Sequence, residues 1–308
     1  MVERFATHFL SLHGDGLRRV QFRVRVPEES SVFHAGKPLA DGSFVGYRFL
    51  TQPTRVFFES PRLPLLRFSP TGEILDTIAT IPRPPPVGDS RFRNENENAM
   101  LSDPVAAWQG ESRLPVVLTA DGSSVIFVGE VLNEGSPSSF DLVKLSITGD
   151  TIFRRTIGFQ PREITDRERS EIREGVGAFF AGEFISGGPA TRGDPSRRER
   201  ARAEASAAWN GISTYPPVRR IVAGADGTIW LLRESAPAPA DLWEIYDGEG
   251  VRIGSIRITE GRTGPAPWAP RLVLFHASLE EFIGVSTDDL DVPYISRFEI
   301  RSECAGAR

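Results

Sequence analysis

The tripeptide Ala-Asp-Gly occurs three times in this chain, at 40–42, 120–122 and 225–227, and the sequence after each copy is alike. A small hydroxylated residue follows (Ser43, Ser123, Thr228). A β-favouring run comes next: Phe44-Val45-Gly46-Tyr47, Val125-Ile126-Phe127-Val128 and Ile229-Trp230-Leu231-Leu232. Asp-Gly supplies a positive φ at little steric cost, so each copy predicts a tight turn between antiparallel strands. A second signature follows each run, from Leu65 to Gly72, Leu142 to Gly149 and Leu242 to Gly250, again an apolar stretch ending in a glycine turn. Beyond it lies an alternating strand through Thr77-Ile78, Thr156-Ile157 or Ser255-Ile256. In the last of these, Val251, Ile253 and Ser255 alternate with Arg252, Gly254 and Ile256, the two-residue period of a half-buried strand. Turn, strand, strand, turn, strand builds one four-stranded antiparallel meander. One such sheet cannot bury both of its faces, so several must pack face to face around an axis.

Two partial copies flank the three full ones. Phe9 to Gly16, followed by Val20, Phe22, Val24 and Val26, matches the second hairpin only. Leu272 to Phe275, Glu281 to Val285 and Tyr294 to Ile300 supply about three strands. The expectation is about 17 strands in an all-β chain, a β-propeller of four-stranded antiparallel blades with about four to five blades present. The Asp226-Gly227-Thr228-Ile229-Trp230-Leu231-Leu232-Arg233 segment, the Trp243 to Gly250 turn and the closing Gly284 to Val292 segment resemble bacterial six-bladed β-propeller proteins of the NHL/TolB-like type. That resemblance spans nearly the whole chain and implies a six-bladed parent fold. It rests on blade-building residues and implies no chemistry. Members of that type carry a leader and further blades ahead of the point where Met1 stands, so the chain is expected to be shortened at its start. A periplasmic or cell-envelope location follows if a leader precedes Met1, and a cytoplasmic one otherwise. Residues 1–308 are read as one propeller domain.

Two stretches within it do not read as strands. The segment 82–113, opening Pro82-Arg83-Pro84-Pro85-Pro86 and passing through Asn94-Glu95-Asn96-Glu97-Asn98, is expected as an inter-blade loop insertion. Successive prolines favour an extended left-handed helix, and the Asn/Glu run has no period. The segment 161–217 is expected as a helical insertion. Thr165 and Glu168 have capping-box spacing, Ile172, Val176, Phe179 and Phe180 form an apolar stripe, and Asp194-Pro195 opens a second helix that stops at Asn210-Gly211. On that helix Arg197, Arg198, Arg200 and Arg202 are balanced by Glu199 and Glu204 and read as a solvated face.

Charge and composition narrow the function classes. Thirty-six basic against 41 acidic residues leave a net charge of -5, which offers nothing to neutralise a phosphate backbone, so no nucleic-acid partner is expected. No window approaches the roughly 18–20 apolar residues of a membrane span. The single cysteine, Cys304, excludes an internal disulfide and a cysteine zinc site. The histidines, His8, His13, His34 and His276, fall on no metal-binding frame. Gly88-Asp89-Ser90 lacks the strand-turn-helix setting of an esterase nucleophile. Asp288, Asp289 and Asp291 read as a turn, and Trp230, Trp243 and Tyr246 as core between blades. Arginine almost excludes lysine, of which only Lys37 and Lys144 occur, as in the codon usage of a GC-rich bacterial genome. No catalytic residue, metal ligand or cofactor is assigned. The expected function is a non-catalytic propeller that binds a protein or small molecule. The alternative is a metal-dependent lactonase-like hydrolase or lyase with a central-channel site, against which stand the apolar strands after the Asp-Gly turns.

Overall fold

The apolar runs that follow the Asp-Gly turns are continuous rather than alternating, which fits a strand buried on both faces. The computed structural model describes residues 2–13, 16–26, 31–39, 41–50, 62–69, 73–82, 116–132, 138–170, 214–234, 240–259, 272–287 and 292–301. Among them lie seventeen strands in antiparallel sheets. A hairpin joins β1 (Val2–His13) to β2 (Gly16–Val26). The second sheet holds β3 (Ser31–Pro38), β4 (Phe44–Leu50), β5 (Arg62–Phe68) and β6 (Ile74–Pro82). The third holds β7 (Val116–Leu118), β8 (Ser124–Leu132), β9 (Ser139–Ser146) and β10 (Thr151–Gly158). The fourth holds β11 (Val218–Ala223), β12 (Ile229–Arg233), β13 (Asp241–Tyr246) and β14 (Arg252–Ile258). The fifth has three strands, β15 (Val273–Ala277), β16 (Glu281–Thr287) and β17 (Pro293–Glu299). Within every sheet the strands pair in sequence order, so each is a meander. Among the described residues the fold is mostly β, with four sheets of three or four strands beside the hairpin.

The core lies between sheets, and successive residues of one strand feed different halves of it. On β8, Val125 and Phe127 join Leu39, Val45, Leu65, Ile78 and Ile81 of the second sheet. Their neighbours Ile126 and Val128 join Val218, Ile221, Ile229 and Leu231 of the fourth. On β12 the alternation repeats: Trp230 and Leu232 turn away from Ile229 and Leu231 to meet Leu272, Leu274, Ala277 and Phe282 of the fifth sheet. Trp230 and Trp243 are 1% and 0% exposed, and Tyr246 is buried between the third and fourth sheets. On the outermost strand β14 the period is visible: Gly254, Ile256 and Ile258 point inward, while Val251, Ile253 and Ser255 face solvent.

The expected insertions are described at their ends only. Pro82 is the last residue of β6, paired with Arg62, so the strand extends one residue into the segment expected as a loop. Residues 83–115, which carry Gly88-Asp89-Ser90, lie outside the described residues. In the 161–217 segment the capping box is formed: Glu168 N–H donates to Thr165 Oγ1 at 3.2 Å and Thr165 N–H to Glu168 Oε2 at 3.0 Å, opening a helical turn at 166–170. The rest, with the four arginines, lies outside the described residues. Its two ends are held together, with Glu163 bridging Thr214 and Tyr215 N–H donating to Arg162 O at 2.9 Å.

Candidate functional site

Consecutive turns of a meander fall at opposite ends of the sheet, so the connections sort into two groups. One end carries the Asp-Gly turns and the later glycine turns. In the first kind, the aspartate side chain receives the backbone N–H two residues on: Ser43 to Asp41 at 3.0 Å, Ser123 to Asp121 at 3.0 Å and Thr228 to Asp226 at 3.2 Å. The hydroxyl of the same residue adds a second bond, while Gly42, Gly122 and Gly227 take φ of 81°, 68° and 85°. The Ser43 hydroxyl holds the Asp41 carboxyl down to about 2, and the Thr119 hydroxyl does the same for Asp121. Burial alone would raise Asp226, but the Thr228 hydroxyl and the Leu279 N–H outweigh it and lower it. That Leu279 bond, 2.7 Å to Asp226 Oδ2, ties the fourth sheet to the fifth, as does Ala225 N–H to Ala277 O at 2.8 Å. These carboxylates are spent on holding turns.

The opposite end carries the long connections, and there the charges gather. Arg162, on the chain leaving β10, contacts Glu168 Oε1 at 2.7 Å, and its Nε lies 3.1 Å from Glu234 Oε1 but off the hydrogen-bonding direction. Its guanidinium stacks 4.1 Å from the centre of the Tyr215 ring. Glu234, at the end of β12, also faces Arg219 at 3.6 Å, and Arg219 reaches Asp241 at 3.7 Å. Burial pushes the Glu234 carboxyl above its ordinary value despite Arg219 and Arg162, with Glu168 and Asp241 adding to the rise. Burial opposes ionisation of Glu168 too, but the N–H and hydroxyl of Thr165 and the charge of Arg162 hold it below its ordinary value. A second knot adjoins the first. Glu244 takes Arg233 at 2.6 Å, the Tyr246 hydroxyl at 2.8 Å and Arg252 at 3.4 Å, and Arg233 Nε donates to Pro217 O at 3.0 Å.

Glu168, Glu234, Asp241 and Glu244 each face an arginine, an arrangement suited to anchoring and recognition rather than to a proton relay. It clamps the ends of the 161–217 segment onto the fourth sheet. No group of three metal-ligating side chains occurs among the described residues. His276 lies on β15, 3.7 Å from Glu281, and His8, His13 and His34 fall on β1, β1 and β3. Asp288, Asp289, Asp291 and Cys304 lie outside the described residues. No helix among the described residues is long and apolar enough to cross a membrane.

The apolar runs after the Asp-Gly turns form the second strand of each sheet, β4, β8 and β12. Between sheets, β7 adjoins β11 and β11 adjoins β15, while β6 and β11 each also adjoin β8. Sequence reading missed the Arg162–Glu234–Arg219 cluster because its members are far apart in the chain. The signal available was a charged residue at each strand end that borders a long connection. No family model matches the chain, and no curated protein matches its sequence.

Proposed function

We propose that this chain is a β-propeller binding module, built on a six-bladed plan of the NHL/TolB-like kind, that recognises a protein or small-molecule ligand without turning it over. The adjoining first strands of the third, fourth and fifth sheets support the propeller, as do separate core clusters between the second and third, third and fourth, and fourth and fifth sheets. Two of the later glycine turns lean on the outermost strand of the preceding sheet, Gly149 on β6 and Gly250 on β10.

The observation that carries the functional reading is the asymmetry of the two ends. One end is closed by short turns whose polar groups are bonded within the turn or to the adjoining strand or sheet, as Asp41 is to Arg67 and Asp226 to Leu279 N–H. The other bears every long connection and a clamp of paired charges that fixes their bases. Rigid sheets with variable connections at one end make a recognition platform. Protein purified without chelator would be assayed for bound metal and for hydrolysis of lactones and esters. A ligand found by thermal shift would then be mapped by hydrogen exchange. Protection at 159–170, 214–217 and the residues flanking 235–239 is expected, with no hydrolysis. Protection confined to the Asp-Gly turns, or metal-dependent turnover, would overturn the reading.

A further inference from the structure

Aspartate followed by glycine is open to migration of the peptide bond, because glycine puts no side chain in the way of its own nitrogen attacking the aspartate carboxyl. The chain carries this pair five times, at Asp15-Gly16, Asp41-Gly42, Asp121-Gly122, Asp226-Gly227 and Asp247-Gly248. Asp15 lies outside the described residues. The other four pairs all sit in hairpin turns at one end of the sheets, but at two different places in the turn.

In the three repeated turns the aspartate precedes the glycine that takes positive φ, and that glycine N–H is bonded. Gly42 donates to Leu39 O at 3.0 Å, Gly122 to Thr119 O at 2.9 Å and Gly227 to Gly224 O at 3.1 Å. The carboxylate is held too, by the hydroxyl two residues on. Asp41 and Asp121 stay ionised down to about 2, under the Ser43 and Thr119 hydroxyls. Attack needs a protonated carboxyl, since one of its oxygens must leave as water, so these turns guard both reacting groups.

Asp247 instead opens its turn. Its N–H donates to Val251 O at 2.9 Å and Gly250 N–H donates to Asp247 O at 3.1 Å. The N–H groups of Glu249 and Val251 donate to Asp247 Oδ1 at 2.9 and 2.8 Å. Between 247 and 251, Gly248 alone has an N–H without an acceptor among the described residues. The Glu249 bond folds the carboxyl back over the Gly248 peptide, and residue 249 has no hydroxyl to hold the other oxygen.

We propose that Asp247-Gly248 is a site of spontaneous isoaspartate formation in the folded protein, and that the turns at Asp41, Asp121 and Asp226 protect theirs. Gly248 N loses its proton and bonds to Asp247 Cγ, and one carboxyl oxygen leaves as water, closing a succinimide ring. Water then opens the ring. Cleavage between Gly248 N and Cγ restores aspartate, and cleavage between Gly248 N and the Asp247 carbonyl carbon leaves the chain running through Cβ. Nothing is oxidised or reduced, and the mass is unchanged. The rerouted main chain is one carbon longer through a turn that the third sheet grips, by Lys144 Nζ to Gly248 O at 3.2 Å and Arg155 Nε to Glu249 O at 3.2 Å. The modification therefore loosens the seam between the third and fourth sheets, whatever ligand the molecule binds.

Wild-type protein aged at mildly acidic pH is digested, and electron-transfer fragmentation tells isoaspartate from aspartate at each pair. Gly248→Ala is aged beside it. A β-carbon at 248 meets only Gly227 O, at an ordinary 3.5 Å, and the residue is not at positive φ, so the variant folds. Isoaspartate at 247 should build up roughly tenfold or more faster than at 41, 121 or 226 in the native protein, because only there are both reacting groups free to meet. It should be lost in Gly248→Ala, and all four pairs should react at similar rates in wild type aged in urea. The unfolding midpoint should drop on ageing in wild type and hold in Gly248→Ala. Accumulation at 247 no faster than at the three repeated turns, or undiminished in Gly248→Ala, would overturn the proposal. An unchanged midpoint in protein modified at 247 would overturn the loosened seam.

Discussion

Gly149 and Gly250 both sit at positive φ, 92° and 78°, and a β-carbon on either would intrude on the preceding sheet. It would stand 2.8 Å from Ile78 O in the first case and 2.7 Å from Phe153 Cε2 in the second. Gly42 and Gly227 share the backbone conformation, at φ 81° and 85°, but a β-carbon there meets nothing within 4 Å. Alanine at 42 or 227 should therefore cost about 1–2 kcal/mol, the left-handed penalty alone. At 149 or 250 the same change adds overpacking, for a loss of about 2–4 kcal/mol. Urea unfolding of the four variants separates the two groups, and equal losses would show that the turns do not bear on their neighbours. The aspartates of the first turns act through pH instead. Their folded pKa values lie below the ordinary 3.8, so the stability they contribute is present above about 4 and lost as pH falls through the lowered values, about 2 for Asp41 and Asp121. Asp121→Asn should flatten the acid limb of a stability-against-pH curve, and an unchanged limb would count against the hydrogen-bonded turn. This much was legible in the sequence, because Asp-Gly followed by a hydroxyl residue is a complete local instruction. The neighbour that makes Gly149 differ from Gly42 was not, since it lies on another sheet.

At the scale of elements, the segment ends at 162–168 and 214–217 form a strap fastened by Glu234, which faces Arg162, and by Arg233 of β12, which donates to Pro217 O and is itself held by Glu244 of β13. The capping box at Thr165 and Glu168 could be read from spacing alone. The fastening could not, because its partners are side chains at strand ends brought together only by the sheet. Glu234 carries a measurable consequence. Its folded pKa is raised above the ordinary 4.5, burial being the largest cause, so the folded state holds that proton more tightly than the unfolded chain. Stability from this group is greatest below 4.5 and falls as pH rises through the raised value. Arg219, Arg162, Glu168 and Asp241 face it and set the size of the effect. Glu234→Gln removes the titration. Its thermal midpoint relative to wild type should therefore rise from mildly acidic to neutral pH. A constant difference would mean that Glu234 is as easily ionised folded as unfolded.

For the whole molecule, the informative strands are those with no visible period. Ile229-Trp230-Leu231-Leu232 is apolar throughout because β12 is covered on both faces, and the sequence therefore hides which residue serves which neighbour. The number of strands and their meander order were legible from turn spacing. The serial sharing of core between sheets had to come from three dimensions. It predicts a pattern of energetic coupling. Leu231→Ala and Leu232→Ala should each cost about 2–5 kcal/mol although they are neighbours with opposite orientations, because neither face opens to solvent. Ile253→Ala on outer β14, where the side chain is 47% exposed, should cost well under that. Double-mutant cycles then read the order of the sheets. Leu231 should couple with Ile126 of the third sheet, and Leu232 with Leu274 of the fifth, by about 0.5–3 kcal/mol. Leu231 with Leu274, and Leu232 with Ile126, should be additive to within about 0.5 kcal/mol. Sheets laid edge to edge in one flat layer would expose one face of β12 and make one of the two alanine changes nearly neutral. Crossed pairs that couple as strongly as the matched ones would dissolve the separation between the two clusters, and with it the stacking of successive sheets on which the propeller reading depends.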